Sequence, residues 1–208
     1  MKLGKAIGTI GGLTMVSRVL GFAREMVMAR ILGANMFADA FLVAFRLPNT
    51  FRRFFGEGAF SAGFVPLFSQ RYHGEGGLDE ARRFSEEVLA VFLPALLIFT
   101  VIGQIAMPGM VWLLASGYAG EPAKFELTVW LSRLTFPYLM LISLVSLYSG
   151  VLNSMHKFAA AAFAPALLNL AMLIALLMVR DGGEKSAQAL AIAVVVGGVV
   201  QLALVLWS

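Results

Sequence analysis

ADAFLVAFRLPNTFRRFFGEGAFSAGFVP, residues 38–66, decides how the chain is read. The stretch is apolar enough for a bilayer, yet it carries Asp39, Arg46, Arg52, Arg53 and Glu57. A charged side chain at bilayer depth costs about 2.5–3.5 kcal/mol on insertion scales. Simple anchoring does not require so many. At about 100° per residue, Asp39, Arg46, Asn49, Arg53 and Glu57 share one narrow helical face. Pro48 lacks a backbone donor, so a kink or an unwound turn is expected just before Arg52. Gly56, Gly58 and Gly63 follow and permit a second irregular point. A broken, charged helix at membrane depth reads as the wall of a polar cavity. The plainer alternative is an interfacial helix whose arginines snorkel to headgroups, and two acids on the same face speak against it.

The 208 residues are 60% hydrophobic and 13% charged, whereas soluble domains run near 45–50% and about 25%. An integral membrane protein follows. The net charge of +4 does not point to nucleic acid, because many of the basic residues sit inside apolar segments. With no cysteine there is no disulfide or thiolate metal site to consider. Lys2 and Lys5 precede an apolar run as in a signal peptide, but Arg18 interrupts it and no cleavage pattern closes it. The run is read as a retained first helix.

Six apolar segments are predicted, at about residues 7–32, 38–70, 85–116, 125–153, 157–179 and 187–208, forming an all-α, polytopic membrane helix bundle. The first contains Ser17, Arg18, Arg24, Glu25 and Arg30. Arg18 and Glu25 share a face, Arg24 points elsewhere, and Gly21 between them is expected to loosen the helix. Arg30 suits a snorkelling position. Residues 33–36 leave room only for a tight turn into an antiparallel neighbour. Residues 71–83 form the longest polar stretch and are expected in water, with Glu86 and Glu87 in the first turn of the third segment. Pro94, Pro108, Pro137 and Pro165 lie inside later segments, and Arg133 suits either the cavity or snorkelling. Gly11-Gly12 and Gly197-Gly198 are read as helix-packing contacts. The chain stops within an apolar run, so either more protein follows or the product is truncated. Lys2, Lys5, Arg71, Arg82, Arg83 and Lys157 fall on one side of the membrane, against Lys124, Arg180 and Lys185 on the other. By the positive-inside rule the first side, with the N-terminus, is cytoplasmic.

Between residues 17 and 57 the basic residues are Arg18, Arg24, Arg30, Arg46, Arg52 and Arg53, all arginine. The acids are Glu25, Asp39 and Glu57, leaving a net +3 (six minus three). Arginine stays charged when desolvated and grips phosphate oxygens bidentately, so this pocket favours a diphosphate or carboxylate. The acids could hold some arginines by ion pairs and leave others for substrate. The alternative is a structural salt-bridge network fixing the first helix against the second. His73 and His156 lie in or beside polar turns without partners at metal-ligand spacing, and no P-loop or nucleophile motif occurs. Neither an enzyme nor a cofactor is indicated. Phe51, Phe54, Phe55 and Phe60 suit lipid or neighbouring helices.

The segments SRVLGFARE (residues 17–25) and ADAFLVAFRLPNTFRRFFGEGAFSAGFVPLF (residues 38–68), with the polar loop that follows, resemble the MurJ (MviN-type) lipid II flippases. These belong to the multidrug/oligosaccharidyl-lipid/polysaccharide exporter superfamily. The resemblance implies fourteen helices in two six-helix lobes plus an extra pair, around a central cationic cavity. Residues 1–208 would then be the N-terminal lobe, with the second lobe missing. It also implies export of an undecaprenyl-diphosphate-linked peptidoglycan precursor, lipid II, across the bacterial inner membrane by alternating access. The family's cavity arginines match Arg18, Arg24 and Arg52, its second-helix acids match Asp39 and Glu57, and Ser17 neighbours them. Arg46 and Arg53 share the face of Asp39 and Glu57, so ion pairing is expected to occupy them. The partners implied are lipid II, membrane lipids and the missing lobe. The competing expectations are another exporter of the superfamily, for a lipid-linked polysaccharide or a drug or cation, and a non-transport membrane scaffold. A drug or cation antiporter would prefer an acid-dominated cavity.

Overall fold

The computed structural model describes residues 3–54 and 59–208, with side chains from residue 8 to 54 and from 62 onward. Glu57 therefore lies outside the described residues. Among them the structure is all helical: α1 (Leu3–Ile31), α2 (Met36–Arg52), α3 (Ala59–His73), α4 (Gly77–Leu114), α5 (Pro122–Thr135), α6 (Tyr138–Ser154), α7 (Ala159–Met178) and α8 (Glu184–Trp207). A 3-10 turn (Ser116–Gly120) links α4 to α5. Eight helices are thus described where six segments were expected; residues 55–58, between α2 and α3, lie outside the described residues, and the 125–153 segment is divided.

No break in the helix falls at Pro48. α2 runs through Pro48 without interruption to Arg52, followed by a wider π turn at Arg53 and Phe54. Pro48 deprives the Ala44 carbonyl of its helical donor, and the Thr135 hydroxyl of α5 supplies one at 2.9 Å. The helix continues because a neighbour replaces the lost bond. Among the described residues a division separates α5 from α6 at Phe136-Pro137. Pro137 orphans the Arg133 carbonyl, and Gln104 Nε2 of α4 donates to it at 2.9 Å. Gln104 itself sits four residues before Pro108, and its orphaned carbonyl accepts from Arg133 Nε at 3.3 Å. Each side chain repairs the backbone that the other's proline has broken. Arg133 thus bonds through Nε to the backbone of α4, while its side chain stays exposed.

The polar stretch 71–83 is mostly helix: α3 continues to His73 and α4 begins at Gly77, with Asp79 and Glu80 in its first turn where Glu86 and Glu87 were expected. Carboxylates there suit the helix dipole equally well. At about 1.5 Å per residue the 38 residues of α4 extend about 57 Å, well beyond a hydrocarbon core of about 30 Å. Its early polar turns therefore lie outside the core.

α8 is the hub, packed by α7, α6, α5 and α2; α1 lies along α7, and α3 joins α4 to α6. Small residues permit the close approach. A Cβ on Gly198 would stand 2.7 Å from the Tyr138 ring, one on Gly197 2.9 Å from Leu168, and one on Gly103 would run into Phe136. Gly11 and Gly12 differ from expectation: among the described residues nothing lies within 4 Å of a Cβ at either.

Outward faces are greasy, with Val91, Ile98, Val101, Ile102 and Ile105 of α4 all exposed. So broad an apolar surface suits lipid. Among the described residues, four spans are long and apolar enough to cross a membrane: Gly77–Leu114, Pro122–Ser154, Ala159–Met178 and Glu184–Trp207. The other two expected segments, 7–32 and 38–70, both include residues whose side chains lie outside those described.

Thr135→Val is expected to strand the Ala44 carbonyl and cost about 1–3 kcal/mol. It should appear as a lowered thermal midpoint in detergent. Pro48→Ala in the same protein returns a backbone donor and should recover most of the loss. A double-mutant cycle without that recovery would refute the role of Thr135.

Candidate functional site

α1 turns Ser17, Gly21, Arg24 and Met28 toward α7 and Met15, Val19, Phe22 and Met26 away from it, the latter four all exposed. The close approach at Gly21 brings Asn169 of α7 within 3.3 Å of where a Cβ would stand. α1 is unbroken there, so Gly21 admits a neighbour rather than loosening the helix. Asn169 then joins two predicted site residues. Its Oδ1 accepts from Arg24 Nη1 at 3.0 Å, and its Nδ2 donates to the Ser17 carbonyl at 3.1 Å. Met172 Sδ lies 3.8 Å from the same Arg24 nitrogen.

The Arg24 side chain is only 15% exposed, and its buried Nε has no hydrogen-bond partner among the described residues. Nη2 pairs with Glu25, which is itself largely in the open. Glu25 thus pairs with its chain neighbour and not with Arg18, the residue on its face. Arg18 is exposed and makes no ion pair among the described residues, as is also true of Arg30.

Gly33, at φ 65, turns the chain out of α1. Asn35 then caps α2, accepting from the amides of Phe37 and Ala38, while its Nδ2 donates to the Gly182 carbonyl at 3.0 Å. The α1–α2 turn is thereby tied to the α7–α8 connection. Asp39 stands one turn inside α2, and its partner is Lys124 at the start of α5, 2.7 Å away, not an arginine. The two helix starts meet at the same end of the bundle, which no spacing along α2 could reveal. Lys124 also lies 4.1 Å over the Tyr118 ring. Asp39 and Arg46 open onto a groove of about 280 Å³ with Leu42, Val43 and Tyr118.

Further along α2, Asn49 and Thr50 bond back to the carbonyls of Phe45 and Arg46. Arg52 is half-buried and acts electrostatically on the hydroxyl of buried Tyr138, which donates to Gln201 Oε1 at 3.3 Å. Arg46 and Arg53 are exposed and have no ion pair among the described residues; Glu57, one of the two acids expected to pair with them, lies outside those residues. Phe51 packs on Phe99 and Phe136, while Phe54 is exposed.

α1 and α2 share a turn yet do not pack extensively on each other; α1 follows α7, and α2 follows α5, α8 and α6. They diverge from the turn, so a salt-bridge network clamping the first helix to the second is absent among the described residues. What remains is a set of guanidinium groups on two diverging helices. Arg24 is oriented by Asn169, and Arg18, Arg46 and Arg53 are open to a ligand. Guanidinium groups in so apolar a setting favour a phosphate-bearing anion.

At the opposite end His73 and His156 face each other across two connections, ring centres 6.3 Å apart, a proximity invisible in their spacing. No group of three metal-ligating side chains occurs among the described residues. Asn169 had drawn no functional reading; the available signal was a lone amide in the apolar run AAAAFAPALLNLAMLIALLM, where an unbonded polar group is costly.

A family model described as "Lipid II flippase MurJ" matches residues 28–208. The chain is 49% identical over 209 residues to a probable lipid II flippase MurJ of Rhizobium tropici, covering 99% of this chain and 39% of the relative. It is 42% identical over 201 residues to the lipid II flippase MurJ of Burkholderia cenocepacia, covering 97% of this chain and 39% of the relative. A solved structure of lipid II flippase MurJ in an inward closed conformation superposes with a TM-score of 0.73 at 25% identity, over 94% of this chain and 41% of that one. The chain spans about two fifths of the length of the relatives it matches.

Asn169→Leu keeps the volume but removes both bonds, leaving the buried Arg24 guanidinium and the Ser17 carbonyl without that partner. A loss of about 1–3 kcal/mol is expected. Spin labels on α1 and α7 should report a broadened distance distribution. An unchanged distribution at unchanged thermal midpoint would refute the bridging role.

Proposed function

The chain belongs to the MurJ lipid II flippase family, and from this premise we propose that residues 1–208 form the N-terminal six-segment lobe of a two-lobed flippase. Its substrate is lipid II, moved from the cytoplasmic to the periplasmic face of the inner membrane. Arg24, Arg18 and Arg52 receive the diphosphate, while the prenyl tail stays in the bilayer. Ser17 and Glu25 support the α1 side; Asp39, Arg46, Arg53 and Glu57 line the α2 side. The second lobe completes the cavity, and rocking of the lobes about it alternates access. The chemistry is binding and release, with no bond made or broken.

The observation that carries this reading is Arg24. Its guanidinium is desolvated, oriented by a neutral amide from α7, and paired only with a solvent-facing acid. A purely structural arginine would be neutralised by an acid buried beside it. A charge held rigid in this way is preorganised for an anion, and the cost of its burial is offset when the ligand arrives. The orientation proposed puts the N-terminus, the α3–α4 connection and the α6–α7 connection in the cytoplasm. The contact between His73 and His156 and the bond between Asn35 and Gly182 support this grouping of the connections, and the excess of basic residues is what assigns the first group to the cytoplasm.

The test is lipid II exposure on the outer face of the inner membrane after depletion of the host flippase. The full-length protein containing this chain should restore exposure. Arg24→Ala at equal membrane abundance should abolish it, since losing a charge-assisted bond costs about 1.5–3 kcal/mol, roughly tenfold to a hundredfold in affinity. Full activity of Arg24→Ala would overturn the site. A well-expressed wild type that restores nothing would point to another lipid-linked glycan.

A further inference from the structure

The groove at the start of α2 is unlike the rest of the surface. Arg46 and Asp39 of α2, with Leu42 and Val43 between them, face Tyr118 of the 3-10 turn across about 280 Å³. The Asp39–Lys124 pair uses only Oδ2, at 2.7 Å. The other carboxylate oxygen, the Arg46 guanidinium and the Tyr118 hydroxyl have no side-chain partner among the described residues. Lys124 covers one part of the Tyr118 ring from 4.1 Å and fixes its plane. The groove therefore offers a carboxylate acceptor, a guanidinium fork, a hydroxyl, an oriented aromatic ring and an aliphatic strip.

We propose that this groove is a saccharide subsite for the sugar attached to the lipid-linked diphosphate, a reading that rests on the proposed flippase function. A sugar ring presents vicinal hydroxyls, which a carboxylate and a guanidinium bind in pairs, and an apolar C–H face, which packs on aromatic and aliphatic groups. A bare phosphate would need only the cation and would leave the aromatic ring and the aliphatic strip unused. Asp39 and Arg46 share one face of α2, and Arg53 continues that face seven residues, about 10 Å, beyond Arg46. Arg52 lies about 120° around the helix from Arg46, so the groove adjoins the diphosphate side of α2 and is distinct from it, while the tail remains in lipid. Arg24 and Arg52 read the charge, and the Tyr118 groove reads the sugar.

The experiment compares two probes on the purified full-length protein: a short-chain prenyl diphosphate carrying the N-acetylated disaccharide, and the same prenyl diphosphate without sugar. Wild type should bind the sugar-bearing probe about tenfold tighter or better. Tyr118→Ala removes the ring, and Leu42→Trp fills the groove without touching the Asp39–Lys124 pair. Each should weaken the sugar-bearing probe about tenfold and leave the bare diphosphate within about twofold. Equal affinity of wild type for the two probes would overturn the proposal. So would both variants leaving sugar binding intact, or weakening both probes alike. If neither probe binds, or if Arg24→Ala leaves the bare diphosphate unaffected, the flippase reading itself fails and the subsite falls with it.

Discussion

In a bilayer no water reaches a carbonyl that a proline has deprived of its helical donor, so each such carbonyl needs a partner from elsewhere in the protein. Three of these obligations organise the middle of the molecule. Thr135 serves Ala44 across the α2–α5 contact, and Gln104 and Arg133 serve each other across the α4–α5 contact. The bonds fix where α2, α4 and α5 stand relative to one another. Phe136, wedged against Gly103 beside Pro137, sets the bend between α5 and α6. The prolines are therefore points of attachment as well as points of bending. α2 continues as a helix through Pro48, where a neighbour donates what the proline removed.

That attachment has a consequence for charge. With α2 pinned to α5, Asp39 comes to the first turn of α5 and is taken by Lys124. The carboxylate is then not available to neutralise an arginine of α1 or α2. On the other side α1 is drawn onto α7 by Gly21 and Asn169, and the amide satisfies Arg24 without cancelling its charge. Both arrangements leave the net positive character of the α1–α2 region in place. The result is a pair of diverging helices presenting guanidinium groups from an otherwise apolar frame, a setting in which an anion is bound more strongly than in water.

Much of this was legible beforehand, for identifiable reasons. Composition and the apolar runs declare a helical membrane protein, because a lipid environment leaves helices few alternatives. The concentration of arginine between residues 17 and 57 declares the sign of the site, because charge in an apolar segment is too costly to be incidental. Segment ends were less legible. Residues 71–83 look like a loop by polarity, yet most are helical, since a helix does not stop at the membrane surface. Pro48 looks like a break, yet the helix passes through it, since breakage depends on whether a neighbour can donate.

The sequence by itself determined the all-helical class, the apolar character of the chain and the excess of positive charge, because each of these depends on solvation, which acts residue by residue. The tertiary structure decided which charges are paired and which stay open. Asp39 pairs with a lysine 85 positions away, Arg24 with an amide 145 positions away, and Arg133 with the carbonyl beside a kink 29 positions away. Such partners are set by how helices approach one another. That approach is governed by small residues and orphaned carbonyls on several helices at once, so no local pattern in the chain records it.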